Sequence, residues 1–277
     1  MKKQILATAI VASIVLLQGC SMDAFLFDNL ALTEYNLSTA VIPASQVEAV
    51  TLNSGSEMLY GFYVKQPDSQ RVEPHQVILY HHGNKHHIEA YWERVELLYR
   101  AGFDVFIYDY RGFGKSTGTS SEQGLYEDAT AALDYLRSRK DVDTTQIVDY
   151  GFSLGGVPAM YLAAYKHKPR CIITEDIFAS SEALVRTGTL LDVPGNFLMD
   201  GKFDNAEHAR IRTSPLMMLH GTADNFIPYQ QHGRLIYEAA RQPKRLVMVE
   251  GAGHSGVPDA LGDQGYIDLI RNFIKGS

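Results

Sequence analysis

Cysteine is nearly absent. The 277-residue chain has only two, Cys20 and Cys171, too few for the disulfide framework that holds small secreted domains together. Blocks of like charge are also missing. Lysine and arginine never run beyond two or three residues and the net charge is −7. Affinity for phosphate chains comes from clustered cations, so nucleic acid is not an expected partner. There is no phosphate-binding loop, dinucleotide fingerprint, internal repeat, low-complexity tract or interdomain linker. With 45% hydrophobic and 21% charged residues, the chain has the composition of a globular protein, long enough for one large α/β domain.

The first twenty residues read as an address. Met1-Lys2-Lys3 is a short basic start, Ile5 to Leu17 is apolar and uncharged, and Leu17-Gln18-Gly19-Cys20 follows. A basic start, a short apolar run and a small residue before the cut describe a secretory signal, and the run is too short for a comfortable bilayer span. The last four residues resemble the lipobox of bacterial lipoproteins. That resemblance implies that residues 1–19 are removed and that Cys20 becomes an acylated N-terminus, which anchors the chain to a membrane. Several acyl chains on one residue meet the requirement for stable anchoring. By the same resemblance Ser21, in place of Asp, points to the outer rather than the inner membrane. Cys171, in the run Cys171-Ile172-Ile173, reads as a small buried hydrophobe.

Residues 20–45 read as the lipidated N-terminus and a tether, in which Phe25-Leu26-Phe27 is expected to pack on the domain. From residue 46 to 277 strands and helices alternate. Val47–Leu52 and Met58–Val64 flank the turn Asn53-Ser54-Gly55 and read as a hairpin. Val77–His81, Val105–Tyr108, Ile147–Phe152, Cys171–Thr174, Leu216–Leu219 and Leu246–Val249 are short apolar runs. Between them Ile88–Arg100, Glu122–Arg139, Leu154–Tyr165, Tyr229–Ala240 and Gln264–Ile274 have helical spacing. Continuous apolar strands separated by helices predict an α/β fold: a mostly parallel, doubly wound sheet covered on both faces, with an antiparallel N-terminal edge. The stretch 175–212 has no strong period and is the place for a small cap.

Gly151-Phe152-Ser153-Leu154-Gly155 matches Gly-x-Ser-x-Gly, with a strand running in and a helix running out. This is the setting in which a serine is held on a tight turn above a sheet. A serine hydroxyl needs a base to take its proton. Gly251-Ala252-Gly253-His254 follows directly after the strand Leu246–Val249. An acid must hold the imidazole tautomer, and His220-Gly221-Thr222-Ala223-Asp224 follows directly after Leu216–Leu219. The chain order Ser153, Asp224, His254 is the one expected for a hydrolase of this build. Two backbone N–H groups are needed for the oxyanion. Leu154 supplies one, and Asn84, in the loop His81-His82-Gly83-Asn84, is the candidate for the other. Gly83 would leave room for the substrate carbonyl, and His82 would brace the loop.

Over residues 46–277 the chain resembles the α/β-hydrolase superfamily, and within it the serine aminopeptidase-like and Bem46-like small-capped group. The likeness is carried by His82-Gly83-Asn84, by Asp109-Tyr110-Arg111-Gly112-Phe113-Gly114-Lys115-Ser116, by Gly151–Gly156, by His220–Asp224 with Asn225-Phe226-Ile227-Pro228, and by Gly253-His254. Asp109 and Arg111 are expected to brace loops rather than react. The resemblance implies the fold and a Ser-His-Asp mechanism. It does not single out a substrate, because the group includes esterases, thioesterases, depalmitoylating enzymes and peptidases.

Four histidines, His81, His82, His86 and His87, lie close together, but without a carboxylate or cysteine set at metal spacing, so no metal site is assigned and no cofactor is expected. Glu175-Asp176, after the strand Cys171–Thr174, would contact substrate or cap the next helix. Glu175 and Phe178 are the candidate pocket residues, and Leu190, Leu191, Phe197, Leu198 and Met199 would line an acyl pocket or form the core of the cap. The expected activity is hydrolysis of a carboxylic ester or thioester in a small-molecule or acylated substrate. Amide or peptide cleavage by the same residues, acyl transfer to an alcohol, and a non-catalytic binding module on a hydrolase fold stand as alternatives. Glu175 is the one carboxylate named to hold a substrate amine. Oligomeric state is not legible.

Overall fold

The computed structural model describes residues 26–70, 75–187 and 200–277. The expected lipidation residue Cys20, Phe25, and the apolar cap residues Leu190, Leu191, Phe197, Leu198 and Met199 lie outside the described residues.

Among the described residues ten strands occur in chain order: β1 (Asp28–Asn29), β2 (Val47–Ser54), β3 (Glu57–Val64), β4 (Val77–His81), β5 (Lys85–His86), β6 (Asp104–Tyr108), β7 (Ile147–Phe152), β8 (Ile172–Glu175), β9 (Leu216–Gly221) and β10 (Lys244–Val249). Eight of them form one sheet in the order β10-β9-β8-β7-β4-β6-β3-β2. The pairs from β10 across to β6 are parallel, and β3 pairs antiparallel with both β6 and β2. The predicted sheet, with its antiparallel N-terminal hairpin edge, is the one observed.

All residues of β4, β6 and β7 are buried, as strands covered on both faces must be. Side chains alternate between faces. Ile78 and Tyr80 join Tyr150, Ile173 and Leu219 beneath α1 (Trp92–Arg100) and the C-terminal helix. Val77, Leu79 and Phe106 join the opposite core, beneath α2 (Glu122–Ser138) and α3 (Gly156–Tyr165). Ser121 caps α2, its hydroxyl accepting from the Gly124 amide at 3.0 Å, and Glu122 sits in the first turn, where the helix dipole favours an acid. Gly102, at φ 89°, lets the chain leave α1 in the left-handed conformation.

The remaining α-helices among the described residues are α4 (Ser181–Arg186), α5 (Asn205–Ile211), α6 (Gly233–Ala239) and α7 (Val257–Gly276). The last is longer than its apolar period suggested, because two helical pieces meet at Gly262, whose φ of 67° and ψ of 155° break the spiral. The aperiodic stretch 175–212 contains α4 and α5, each too short for a period to stand out.

The segment expected to be a tether is built into the domain from Leu26 onward. Leu26 and Phe27 are buried, and the Phe27 ring meets Phe113 and Phe203 at 6.3 and 6.2 Å. β1 pairs parallel with β5, the Tyr35 hydroxyl donates to Asp109 at 2.5 Å, and the Trp92 indole donates to the Ser38 carbonyl at 3.0 Å.

Asp109 and Arg111 brace loops, as expected. Asp109 accepts the Ile88 amide at 2.9 Å and faces His82 Nε2 at 3.2 Å. Arg111 donates to the fully buried Asp128 through Nε at 3.0 Å and Nη2 at 2.7 Å, while the Arg111 amide adds a third bond at 2.7 Å. Removing one member of such a pair strands the other. Asp128→Ala should therefore lower unfolding free energy by about 3 kcal/mol, measured by urea denaturation; a loss under about 1 kcal/mol would show that the fork does not brace this loop.

Candidate active site

β7 delivers Ser153 onto a turn that no ordinary residue favours. Its φ is +51°, a left-handed conformation unusual for a residue with a Cβ. The chain turns there from strand into a 3-10 turn, Ser153–Gly155, and then into α3. The turn fits only because backbone meets backbone: a Cβ on Gly155 would lie 1.9 Å from the His81 carbonyl oxygen.

Strands two and three places along the sheet from β7 deliver the partners. Asp224 follows the end of β9 and His254 the end of β10. His254 Nδ1 lies 2.9 Å from Asp224 Oδ2, and Nε2 lies 3.1 Å from Ser153 Oγ. A carboxylate can only accept, so Nδ1 carries the proton and Nε2 of the neutral ring accepts from the serine hydroxyl. Asp224 is itself fixed, its Oδ1 accepting the amides of Phe226 at 2.9 Å and Ile227 at 2.8 Å. The Asp224 side chain is fully buried and that of His254 is 19% exposed, so the imidazole is open on the side that faces the site. Nearby, burial holds the His220 imidazole below its ordinary pKa, and its Nε2–H donates to the Ile227 carbonyl at 2.7 Å. That bond steadies the loop carrying Asp224.

Ser153 and His254 open into a cavity of about 540 Å³ whose wall includes Asn84, Tyr91, Phe152 and Phe226. The described part of this site thus brings together Ser153, Asp224, His254 and the loop of Asn84.

Known proteins resemble the chain in sequence and in fold. The family described as "Serine aminopeptidase, S33" matches residues 72–186. The uncharacterized protein YfhR of Escherichia coli O157:H7 is 32% identical over 221 residues, 78% of this chain and 76% of that one. The chain belongs to the α/β-hydrolase superfamily. Alpha/beta hydrolase domain-containing protein 17B of Xenopus laevis is 32% identical over 175 residues, 63% of this chain and 57% of the relative. Among solved structures, the Pyrococcus furiosus esterase Pf2001 superposes with a TM-score of 0.72 at 17% identity, covering 90% of this chain and 98% of that one. At that identity the likeness speaks for the fold.

In this hydrolase two of the expected pocket residues have other tasks. Glu175 is fully buried, ion-paired with Arg94 at 2.6 Å and bonded to the hydroxyls of Tyr150 at 2.8 Å and Tyr266 at 3.2 Å. A carboxylate so engaged has no lone pair directed at a substrate amine. Phe178 is 3% exposed and packs in the core 6.4 Å from Phe203, outside the cavity wall. Nor do Glu175 and Asp176 cap a helix, since Ser180 caps α4, accepting from the Ala183 amide at 3.2 Å. Gly83 is needed for packing: a Cβ there would meet the Tyr91 hydroxyl at 2.8 Å and the Phe152 ring at 3.1 Å. His82 braces its loop as expected, Nδ1 donating to the Gly83 carbonyl at 2.7 Å.

Arg94 escaped notice in the sequence. It lines the cavity, lies 4.2 Å from the centre of the Phe152 ring and donates to the Ser255 carbonyl at 2.9 Å, so it ties the loop of His254 to Glu175. A lone arginine on an amphipathic helix carries no signal of that kind. Among the described residues, the grouping with metal-like spacing is Asp176, Asp224 and His254 rather than the histidine-rich loop.

Asp176 follows β8 and is fully buried. Burial first, then the charges of Glu175 and Asp224, push its carboxyl up from 3.8 to about 8, while the Gly221 and Ser255 amides pull the other way. The native state therefore holds a proton that the unfolded chain releases above pH 3.8, and its stability falls as pH climbs from there to about 8. Asp176→Asn should remove that slope, gaining stability over wild type at pH 8 but not at pH 4 when both are titrated with denaturant. Parallel pH profiles for the two proteins would contradict the assignment.

Proposed function

We propose that this hydrolase cleaves a carboxylic ester or thioester, with Ser153 as nucleophile, His254 as general base and acid, and Asp224 as the carboxylate that orients it. The observation that carries the reading is the unbroken relay from Ser153 Oγ through the imidazole to Asp224, at 3.1 and 2.9 Å, opening into the cavity.

Ser153 Oγ attacks the substrate carbonyl carbon and passes its proton to His254 Nε2. The imidazolium that results is stabilised by Asp224. The carbonyl oxygen, now negative, accepts from the Leu154 and Asn84 amides. Collapse expels the alcohol or thiol, which takes the proton from His254, and leaves an acyl group on Ser153. Water, deprotonated by the same imidazole, repeats the sequence and frees the carboxylic acid.

Two observations favour this over the alternatives. An aminopeptidase needs a carboxylate placed for the substrate amine. Glu175 is consumed by Arg94, and Asp28, at the cavity rim, is exposed, where an ion pair contributes little. A binding module would have no use for Ser153 at positive φ, a strain that clusters at working sites.

The proposal includes acylation of Cys20 and attachment to the bacterial envelope, with the outer membrane favoured by Ser21. No helix among the described residues is long and apolar enough to cross a membrane. Cys20 and Asp28 are eight positions apart, a stretch that reaches at most about 29 Å, so an acyl chain on Cys20 would keep the cavity mouth near the lipid surface. That supports an acylated substrate borne by the membrane.

A fluorophosphonate probe is expected to label the wild type and leave Ser153→Ala untouched. His254→Ala should lower ester turnover by roughly 10⁴-fold or more, and p-nitrophenyl esters should be cleaved far faster than peptide amides. Labelling of Ser153→Ala, or faster amide cleavage, would overturn the assignment. Cys20→Ser should lose the acyl mass and leave the membrane fraction; retention there would remove the anchor from the proposal.

A further inference from the structure

β8 lies between β7, which carries Ser153, and β9, which leads to Asp224. The residue it delivers to that gap is Asp176. One carboxylate oxygen, Oδ1, accepts the Gly221 amide at 2.9 Å. The other, Oδ2, is buried and makes no well-formed hydrogen bond among the described residues, although the Ser255 amide also acts on this carboxyl. Side-chain atoms of Asp176, Asp224 and His254 lie within 4.8 Å of one another. The backbone of Asp176 is itself held at a φ of +50°, in the left-handed region that strains a residue with a Cβ. Burying a carboxylate so sparsely bonded is unfavourable, and structural bonds to backbone amides would be served as well by asparagine.

We infer that Asp176 is a second orienting carboxylate for His254, placed to support the imidazolium when Asp224 is lost. The inference rests on the Ser153–His254–Asp224 chemistry proposed above. It makes Asp176 a positioning residue, acting through the imidazole rather than on the substrate.

Four titratable groups face it. Glu175 is ion-paired with Arg94 yet its charge still pushes the Asp176 carboxyl up, Asp224 and His254 share the cluster, and His220 stands 3.9 Å beyond Asp224. Burial first, then the opposing charges of Glu175 and Asp224, keep the proton on Asp176 near neutral pH in the wild type. Replacing Asp224 with Asn removes one opposing charge. Asp176 then ionises more readily, and its negative charge takes over the stabilisation of the imidazolium.

The test is kcat/KM against pH for a p-nitrophenyl ester, using the full chain in detergent micelles with Asp224→Asn, Asp176→Asn and the double variant. A sole orienting Asp lost to Asn costs about 10⁴-fold. Asp224→Asn should instead fall by roughly 10²-fold at neutral pH and recover toward higher pH, levelling off as a fixed group finishes ionising. The double variant should fall to roughly the full 10⁴-fold without a plateau, and Asp176→Asn alone should lose less than Asp224→Asn. The inference is overturned if Asp224→Asn matches the double variant, if its rate rises without levelling, as hydroxide attack would, or if Asp176→Asn is the more damaging single change. Should the double variant fail to fold, the shape of the Asp224→Asn profile decides alone. Failure of the underlying chemistry is visible separately, as turnover that survives in Ser153→Ala.

Discussion

The register of five parallel strands is the constraint on which the site depends. His81 pairs with Gly151, Phe152 with Glu175, Glu175 with Leu219, and Gly221 with Val249. The strands β4, β7, β8, β9 and β10 therefore finish nearly level, and the loops that leave them share one edge. Neighbouring strands stand about 4.8 Å apart, so Ser153 and the Asp224 loop, two strands apart, are bridged by an imidazole reaching back from β10. A slip of one residue would turn each side chain to the opposite face. The apolar alternation prevents it, because Ile78 and Tyr80 serve one core and Val77 and Leu79 the other.

Rigidity at that edge comes from polar groups whose partners lie far away in the chain. Arg94 on α1 holds both Glu175 and the Ser255 carbonyl, so a helix early in the sequence fixes a loop near its end. The Tyr110 hydroxyl, just past β6, donates to the His82 carbonyl and ties the loop of Asn84 to that strand end, and Asp224 is clamped by two amides of its own turn. Preorganised groups of this kind stabilise developing charge without having to move when it appears. The strained φ at Ser153 is sustained by the same surroundings.

Much of this was legible in the sequence because the relevant signals are local. Val77–His81 and Ile147–Phe152 read as buried strands because every residue in them is apolar or tucked against a neighbour. Gly-x-Ser-x-Gly reads as a tight turn because backbone contacts there exclude side chains. Loop glycines beside His254 and the strand before Asp224 gave the rest of the chain order. What was not legible depends on contacts distant in sequence. Glu175 looked available to a substrate because nothing near it in the chain announces Arg94, eighty-one positions earlier. Phe178 looked like a pocket residue because hydrophobicity does not distinguish a wall from a core. The segment from Leu26 looked like a tether because its anchors, Phe113, Asp109 and Trp92, lie far along the chain.

The most direct measurement of the central claim is the mass of the enzyme caught during turnover. Quenching the reaction with a slowly deacylating p-nitrophenyl ester within its first turnover, followed by peptide mass spectrometry, should find one acyl group per chain, on the peptide containing Ser153 and on the serine itself. Turnover with no acylated peptide, or with the acyl group on another residue, would contradict the account.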